Sequence, residues 1–439
     1  MKTQRKPEDY IDTYYSRTLG TVASYPALVG HHDVDVCVIG GGLAGLNTAL
    51  GLAERGVKSI VLESRRVGWG ASGRNGGFVL RGFDAGDVDI PGRIKPALKD
   101  RIMGGCLEAQ DLIRQRSVKY SIPCDIVSGS LSVTWGKDTK ELEEDVRYAN
   151  ETFDMGLEFW PREKVQEHCR TSRYYAGIFS KWDFHFHPLR YTQGIAAAAV
   201  TNGAQIFEQS AAIKIRKDGA GWCVDTEQGQ VKAKHVVVCT SVYGGGIDRK
   251  LDFSVFPVQT YVMVTKPVDR HDLDLTINTP YCVYDLRFAC DYYRVLPDRR
   301  ILWGGRVGLQ AEPADISSMM LNDMFKVYPH LKGRVEADIS WAGNQAYTPH
   351  RMPVIGQAKP GYWYNTAFGG HGMVPTTLGG ELIARAIAGQ DEGYLDFKRY
   401  GMPFTGGPLG RYVAQAVYSY WCACDYMRYE SRFSKSRQN

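Results

Sequence analysis

The stretch Val34-Asp35-Val36-Cys37-Val38-Ile39-Gly40-Gly41-Gly42-Leu43-Ala44-Gly45-Leu46-Asn47, continued to Ala53, decides the fold. By length and apolarity Val34 to Ala53 could cross a membrane, which takes about 20 residues. Asp35, Asn47 and the glycines at 40, 41, 42 and 45 argue against a span. Val34, Val36, Val38 and Ile39 form a buried-strand run that glycine breaks. From Leu43 the apolar positions move to Leu46, Leu50 and Ala53, the period of a helix that Gly56 stops. Ser59 to Glu63 reads as the next strand, so the stretch predicts a β-α-β start.

The spacing Gly40-x-Gly42-x-x-Gly45 has a physical purpose. Gly40 allows the tight turn, Gly42 lets backbone approach a pyrophosphate, and Gly45 lets the helix lie close on the strand. Phosphate then sits at a helix N-terminus, where free amides and the macrodipole favour negative charge. Glu63, at the end of the second strand, can accept hydrogen bonds from ribose hydroxyls and would repel a 2′-phosphate, which disfavours NADP. Strand, helix and terminal acid together predict dinucleotide binding rather than a structural turn. Next comes Gly68-Trp69-Gly70-Ala71-Ser72-Gly73-Arg74-Asn75-Gly76-Gly77, which can wrap an extended ligand; Trp69 and Arg74 are odd choices for a plain surface loop. Far downstream, Phe368-Gly369-Gly370-His371-Gly372-Met373 leads into Thr376 to Ala384, a second glycine turn feeding a helix.

The 439 residues predict one very large domain or two interleaved ones. Hydrophobic residues at 44% and charged residues at 23% fit a soluble globular chain, and a net charge of +5 is too weak to imply nucleic acid. A small ligand is expected. The ten cysteines lack a CxxC pair, so no metal site is expected; Cys422 and Cys424 read as core or surface thiols in a reducing compartment. Phe184-His185-Phe186-His187-Pro188 could suggest a metal but reads better as a strand where the chain changes domains. Met1 to Lys6 is basic without a following apolar stretch, so a cytoplasmic location is the expectation.

Coarser patterns fill in the rest. Leu131 to Trp135 alternates like a strand, Asp138 to Tyr148 is a charged helix, and His187-Pro188 opens a helix over Thr192 to Asn202 that Gly203 stops. Val236 to Val238 is a buried strand returning to the first sheet. Phe253 to Trp341 reads as a large sheet, and Val413, Val417, Tyr420, Cys424 and Met427 predict the packed face of a last helix before a basic, frayed tail.

Several separated matches occur in order: Tyr14 and Tyr15, Ser72 to Gly77, His187-Pro188, Tyr281-Cys282, Asp291-Tyr292-Tyr293-Arg294, Gly304-Gly305, Arg351-Met352-Pro353 and Gly370-His371-Gly372. Through them the chain resembles the glycine oxidase and D-amino-acid oxidase superfamily of FAD-dependent amine oxidoreductases, most closely its gamma-glutamylputrescine oxidase branch. The resemblance implies an α/β fold: a Rossmann-like FAD-binding domain (1–95, 175–245 and 341–439) interleaved with a mixed-sheet, α+β substrate domain (96–174 and 246–340). It implies FAD held without a covalent bond, because Gly68 to Gly77 contains no His or Cys and Gly343 stands near the place of an attaching cysteine. Cofactor contacts are expected from Gly40, Gly42, Leu43, Ala44, Gly45, Glu63, Ser64, Gly70, Ala71, Ser72, Arg74, Asn75, Gly76, Gly77, Ala212, Thr240, Gly343, Arg351, Gly370, His371, Gly372, Met373 and Thr376.

The implied reaction moves a hydride from the carbon beside a neutral amine to the flavin, and water hydrolyses the imine to a carbonyl compound. The substrate is a small amine or amino acid and O2 the expected acceptor; a dehydrogenase with another acceptor and a catalytically idle FAD-binding subunit are the alternatives. Oligomeric state stays open. Three residues are expected at the chemistry. His371 is placed beside the flavin; Arg81 resembles the arginine that grips a substrate carboxylate in sarcosine-type oxidases; Trp303 falls near the place of their oxygen-assisting lysine. Tyr261, Tyr284 and Tyr293 are expected substrate contacts, against an alternative reading as sheet core.

Overall fold

The computed structural model describes residues 9–86, 94–309 and 312–430, so the basic N-terminus and basic tail of the sequence reading lie outside the described residues. Two sheets organise the chain. The first runs in the order Val354–Lys359, Tyr362–Thr366, Gly229–Val238, Gly30–Ile39, Ser59–Leu62 and Gln205–Phe207. From Tyr362–Thr366 onward these neighbours are parallel; Val354–Lys359 and the hairpin of Lys214–Asp218 with Gly221–Asp225 are antiparallel. A parallel centre explains the unbroken apolar runs, since Val36, Val38, Ile60, Val61, Val236 and Val237 are all buried. The helix Leu43–Ala53 follows the first strand as its period predicts, and Gly56, at φ +73°, lets the chain turn out of it.

The second sheet runs Ala337–Tyr347, Phe256–Thr265, Ile301–Gly308, Asp291–Val295, Cys282–Asp285, Val127–Thr134, Ala176–His185 and Phe78–Val79, with Leu157–Pro161 against Ala176–His185. It is mixed: Cys282–Asp285 pairs parallel with Val127–Thr134 and the other pairs are antiparallel. The strand Ala176–His185, which the sequence reading groups with the cofactor half, pairs in this sheet. The chain then crosses to the first sheet's helices through His187, whose Nδ1 accepts from Arg190 N–H and caps the helix Pro188–Thr201.

Helix contacts lock the two glycine turns to each other. The helix Met373–Ile387 crosses Leu43–Ala53 almost backbone to backbone: a Cβ on Gly380 would lie 2.7 Å from Thr48 N, and one on Gly51 2.9 Å from Ala384 Cβ. The Asn365 amide donates to Ala44 O and Thr48 Oγ1. Buried Arg116, on the helix Pro96–Lys119, donates to Asn47 Oδ1 at 3.1 Å, Glu54 at 2.6 Å and Glu381 at 3.2 Å.

The last helix corrects an expectation. Gly407–Asp425 is helical and continues as a π-turn over Tyr426–Glu430, but the face expected to be packed is not. Val413 is 64% exposed and Tyr420 62%, and Val417 and Met427 are likewise exposed. The helical period was legible; what the helix lies against was not, because it runs along the rim of a cavity instead of a core.

Candidate cofactor and substrate site

At the end of the first strand Gly40 takes φ +113°, and a Cβ there would lie 2.7 Å from Cys239 O. A Cβ on Gly45 would lie 2.0 Å from Gly40 O, so this glycine is what lets helix and strand meet. Gly42 differs: a Cβ would meet only the Ser72 side chain, with Oγ at 3.0 Å, and its open side faces a cavity. Gly42 is the N-cap of Leu43–Ala53, and Gly372 the N-cap of Met373–Ile387; neither helix is capped by the side chain of its own N-cap. Both glycines line the same cavity of about 2330 Å³. A cleft for a drug-sized ligand occupies about 300–1,000 Å³, so this one has room for a dinucleotide and a second molecule.

The Glu63 carboxylate is fixed by backbone: Oε2 accepts from Gly41 N–H at 2.7 Å and Oε1 from Arg65 N–H at 2.8 Å. Burial pushes its pKa up, and it keeps acceptor capacity for hydroxyls. At the far end Asp84 holds the second glycine turn, its Oδ1 accepting from Gly370 N–H at 2.8 Å and its Oδ2 from Arg351 Nε at 2.7 Å.

Most expected cofactor positions come together here. Gly40, Gly42, Leu43, Ala44, Glu63, Ser64, Gly70, Ala71, Ser72, Asn75, Gly76, Ala212, Thr240, Arg351, Gly370, His371, Gly372, Met373 and Thr376 all line the cavity. Gly45, Arg74, Gly77 and Gly343 do not, and act from behind it. Arg74 lies over the Trp69 ring at 4.0 Å and donates to Trp69 O, shaping the loop. Gly77, at φ +79°, has Phe186 O where a Cβ would be, 2.1 Å away.

Four expectations are corrected. Arg81 is 5% exposed and lies behind the cavity wall, donating to Met155 O and Ser180 Oγ and pairing with Asp183 at 3.4 Å. Trp303 is fully buried, stacked on Tyr293 at 4.4 Å and 2° in the core of the second sheet. Tyr293 bonds Tyr174 at 3.1 Å and Tyr328 at 2.8 Å there, and Tyr261 is a core residue too; of the three expected tyrosines only Tyr284 lines the cavity. The reason is strand alternation, which sends Tyr293 to the face opposite Tyr292. Tyr292 is the cavity residue of that strand, and glycines make room for it: a Cβ on Gly304 would lie 2.1 Å from its Cζ, and one on Gly76 2.8 Å from its Cε2. Asp84 and Tyr347 also line the site without having been marked in the sequence. Neither sits in a motif; Tyr347 arrives at the end of the strand Ala337–Tyr347 and Asp84 in the turn between Phe83 and Gly86.

The two histidines weighed as metal ligands have other roles. His185 bonds Pro280 O and Arg294, and His187 caps its helix. Among the described residues no helix is long and apolar enough to cross a membrane.

The cavity itself suits FAD. Gly42 leaves a cradle open beside a helix start. His371 Nδ1 and Thr240 Oγ1 are buried, line the cavity and have no hydrogen-bond partner within the protein, as polar atoms awaiting a ligand would. The residues fit the group.

Comparison with known proteins agrees. The family described as "FAD dependent oxidoreductase" (DAO) matches residues 35–386. Gamma-glutamylputrescine oxidoreductase of Escherichia coli is 34% identical over 404 residues, covering 91% of this chain and 94% of that protein. The probable oxidoreductase OrdL of Haemophilus influenzae is 32% identical over 416 residues, covering 91% and 93%. Among solved structures, L-proline dehydrogenase from P. horikoshii superposes with a TM-score of 0.70 at 21% identity, over 86% of this chain and 100% of that one. Glycine oxidase from Bacillus cereus gives 0.67 at 20%, over 82% and 97%, and both likenesses concern the fold alone. The chain belongs to the DAO family and is an FAD-dependent oxidoreductase.

Proposed function

From that membership we propose that the protein oxidises the C–N bond of a small amine or amino acid to an imine, which water converts to a carbonyl compound, with O2 receiving the electrons. The observation that carries this reading is the single cavity joining two glycine helix starts, with the orphaned His371 Nδ1 at its far end. The names of relatives support the amine class, one for gamma-glutamylputrescine and others for glycine. When bound, FAD supplies the two-electron chemistry.

The protein's part is binding, orientation and electrostatics. Gly40 to Gly45 and the start of Leu43–Ala53 would hold the pyrophosphate, while Glu63 would accept from ribose hydroxyls. Gly70, Ala71, Ser72, Asn75 and Gly76, which line the cavity, would hold the middle of the cofactor, and with no His or Cys in Gly68 to Gly77 it would be held without a covalent bond. His371 and the amides opening Met373–Ile387 would stabilise the negative charge that develops on reduction. Asp84, through Gly370 and Arg351, keeps that turn in position. Tyr284 and Tyr292 border the space left for the amine.

Turnover of an amine panel in air tests the reading, with carbonyl product and peroxide both assayed. Equal amounts of the two are expected. No carbonyl product from any amine would overturn the proposal, and carbonyl formed without peroxide would replace O2 by another acceptor.

A further inference from the structure

We infer that the substrate amine carries an extended apolar substituent, and that this substituent lies in the arm of the cavity walled by the helix Gly407–Asp425. The inference rests on the proposed amine oxidation and names the class of amine. The same cavity that Tyr292 and the second glycine turn line is also lined by residues of two further parts of the chain. Val258, Val307, Leu309 and Phe288 come from the second sheet and its connections; Val413 and Val417 come from the helix.

Of the helix's exposed apolar side chains, Leu409, Val413 and Val417 line the cavity, whereas Tyr412, Tyr420 and Trp421 do not. Over 19 residues its only charged side chains are Arg411 and Asp425, yet Val413 is 64% exposed, Val417 50% and Phe288 across from them 44%. Its polar groups hold it to the sheet. Tyr418 Oη accepts from Val307 N–H at 3.0 Å, Gln415 Oε1 from Leu309 N–H at 3.1 Å and Asp425 Oδ2 from Ala289 N–H at 3.1 Å, while Arg411 donates to Leu309 O at 2.9 Å. What remains for the cavity is apolar surface, continuous with the flavin end and in need of cover.

The charges in this part of the cavity are already matched. Arg287 lies 2.8 Å from Asp285 and 2.6 Å from Asp291, Arg306 bonds Asp323, and Arg351 bonds Asp84. With Arg81 behind the wall and Arg411 turned to Leu309 O, the described residues that line this part of the cavity offer no unmatched cation to grip a carboxylate and no unmatched carboxylate to grip a second ammonium. A substrate with a charged tail would have to break one of these pairs; an alkyl or arylalkyl tail would not.

A chain-length series tests this on the FAD-loaded protein, with straight-chain primary amines from propyl to octyl and, beside them, putrescine and an amino acid. Burying one methylene is worth about 0.8 kcal/mol, or nearly fourfold. The expected result is that kcat/KM rises about threefold to fourfold per methylene. The Kd of 1,1-dimethylalkylamines, which lack the C–H to be oxidised, should fall by the same factor in equilibrium dialysis. Val417→Asp should flatten both gradients and Val417→Ile should keep them. Flat or inverted gradients in the unaltered protein, with putrescine or the amino acid preferred, would overturn the inference and leave amine oxidation standing. Flat gradients together with a dimer in sedimentation that Val413→Asp dissociates would overturn it too, because a second copy then covers the helix. Failure of every amine to reduce the flavin would remove the underlying reading instead.

Discussion

The two ends of the cavity are built from different material. At the nucleotide end, backbone does the work: glycines at 40, 42 and 45, an open helix start, and a carboxylate held by two amides. At the sheet end, side chains from strands far apart in sequence converge, among them Tyr284, Tyr292 and Tyr347, and Asp84 from a loop braces the turn. A backbone site tolerates almost no added atom; a side-chain site tolerates change and redirects specificity. Failures should therefore differ in kind, in folding or cofactor content at one end and in turnover at the other.

The largest effect is expected at Gly45. A methyl group there meets Gly40 O at 2.0 Å, a backbone atom that cannot step aside, so Gly45→Ala should cost more than about 3 kcal/mol and yield little folded protein. Gly42→Val separates folding from binding. Its side chain meets only Ser72 and the cavity, so the apoprotein should melt like unaltered apoprotein while FAD affinity falls at least about tenfold, or 1.4 kcal/mol. Full flavin content in this variant would break the contrast between the two glycines.

At the other end His371→Ala should leave flavin content near normal and slow flavin reduction by about a hundredfold to a thousandfold, the order seen when one donor to a developing charge is removed. Loss of flavin instead would make the second turn as backbone-dependent as the first. The smallest effect belongs to the seam between the sheets. Burial first, and then nearby arginines, push His185 and His187 down to about 3 from 6.5. The unfolded chain takes up these protons below 6.5 and the folded one does not until about 3, so stability is lost as pH falls through that window. Between pH 7 and 6 the loss is about 0.7 kcal/mol for each histidine, readable as a lower urea midpoint; His185→Gln should halve it.

The same contrast explains what the sequence disclosed. The first turn was readable because glycine spacing, strand run and helix period lie within thirty residues and each has one local cause. The second turn, Gly369 to Met373, was readable for the same reason. Tyr292 and Tyr293 are adjacent, and nothing local says which one faces the cavity; that depends on register with Gly304 and Trp303 across the sheet. Arg81 was expected to anchor a carboxylate by its resemblance in position to the arginine of sarcosine-type oxidases; its actual partners, Met155, Ser180 and Asp183, are all more than seventy positions away, so nothing local disclosed them. The last helix showed its period but not its neighbour, so its apolar side was read as core.

The central claim is that one cavity holds FAD at its backbone end and presents an amine to it at its side-chain end. Anaerobic addition of a primary amine to the purified yellow protein tests this directly through the flavin absorbance. Bleaching that persists until air is admitted, with one carbonyl formed per flavin, is the predicted result. Protein that retains FAD through purification yet stays yellow with every amine would contradict the account.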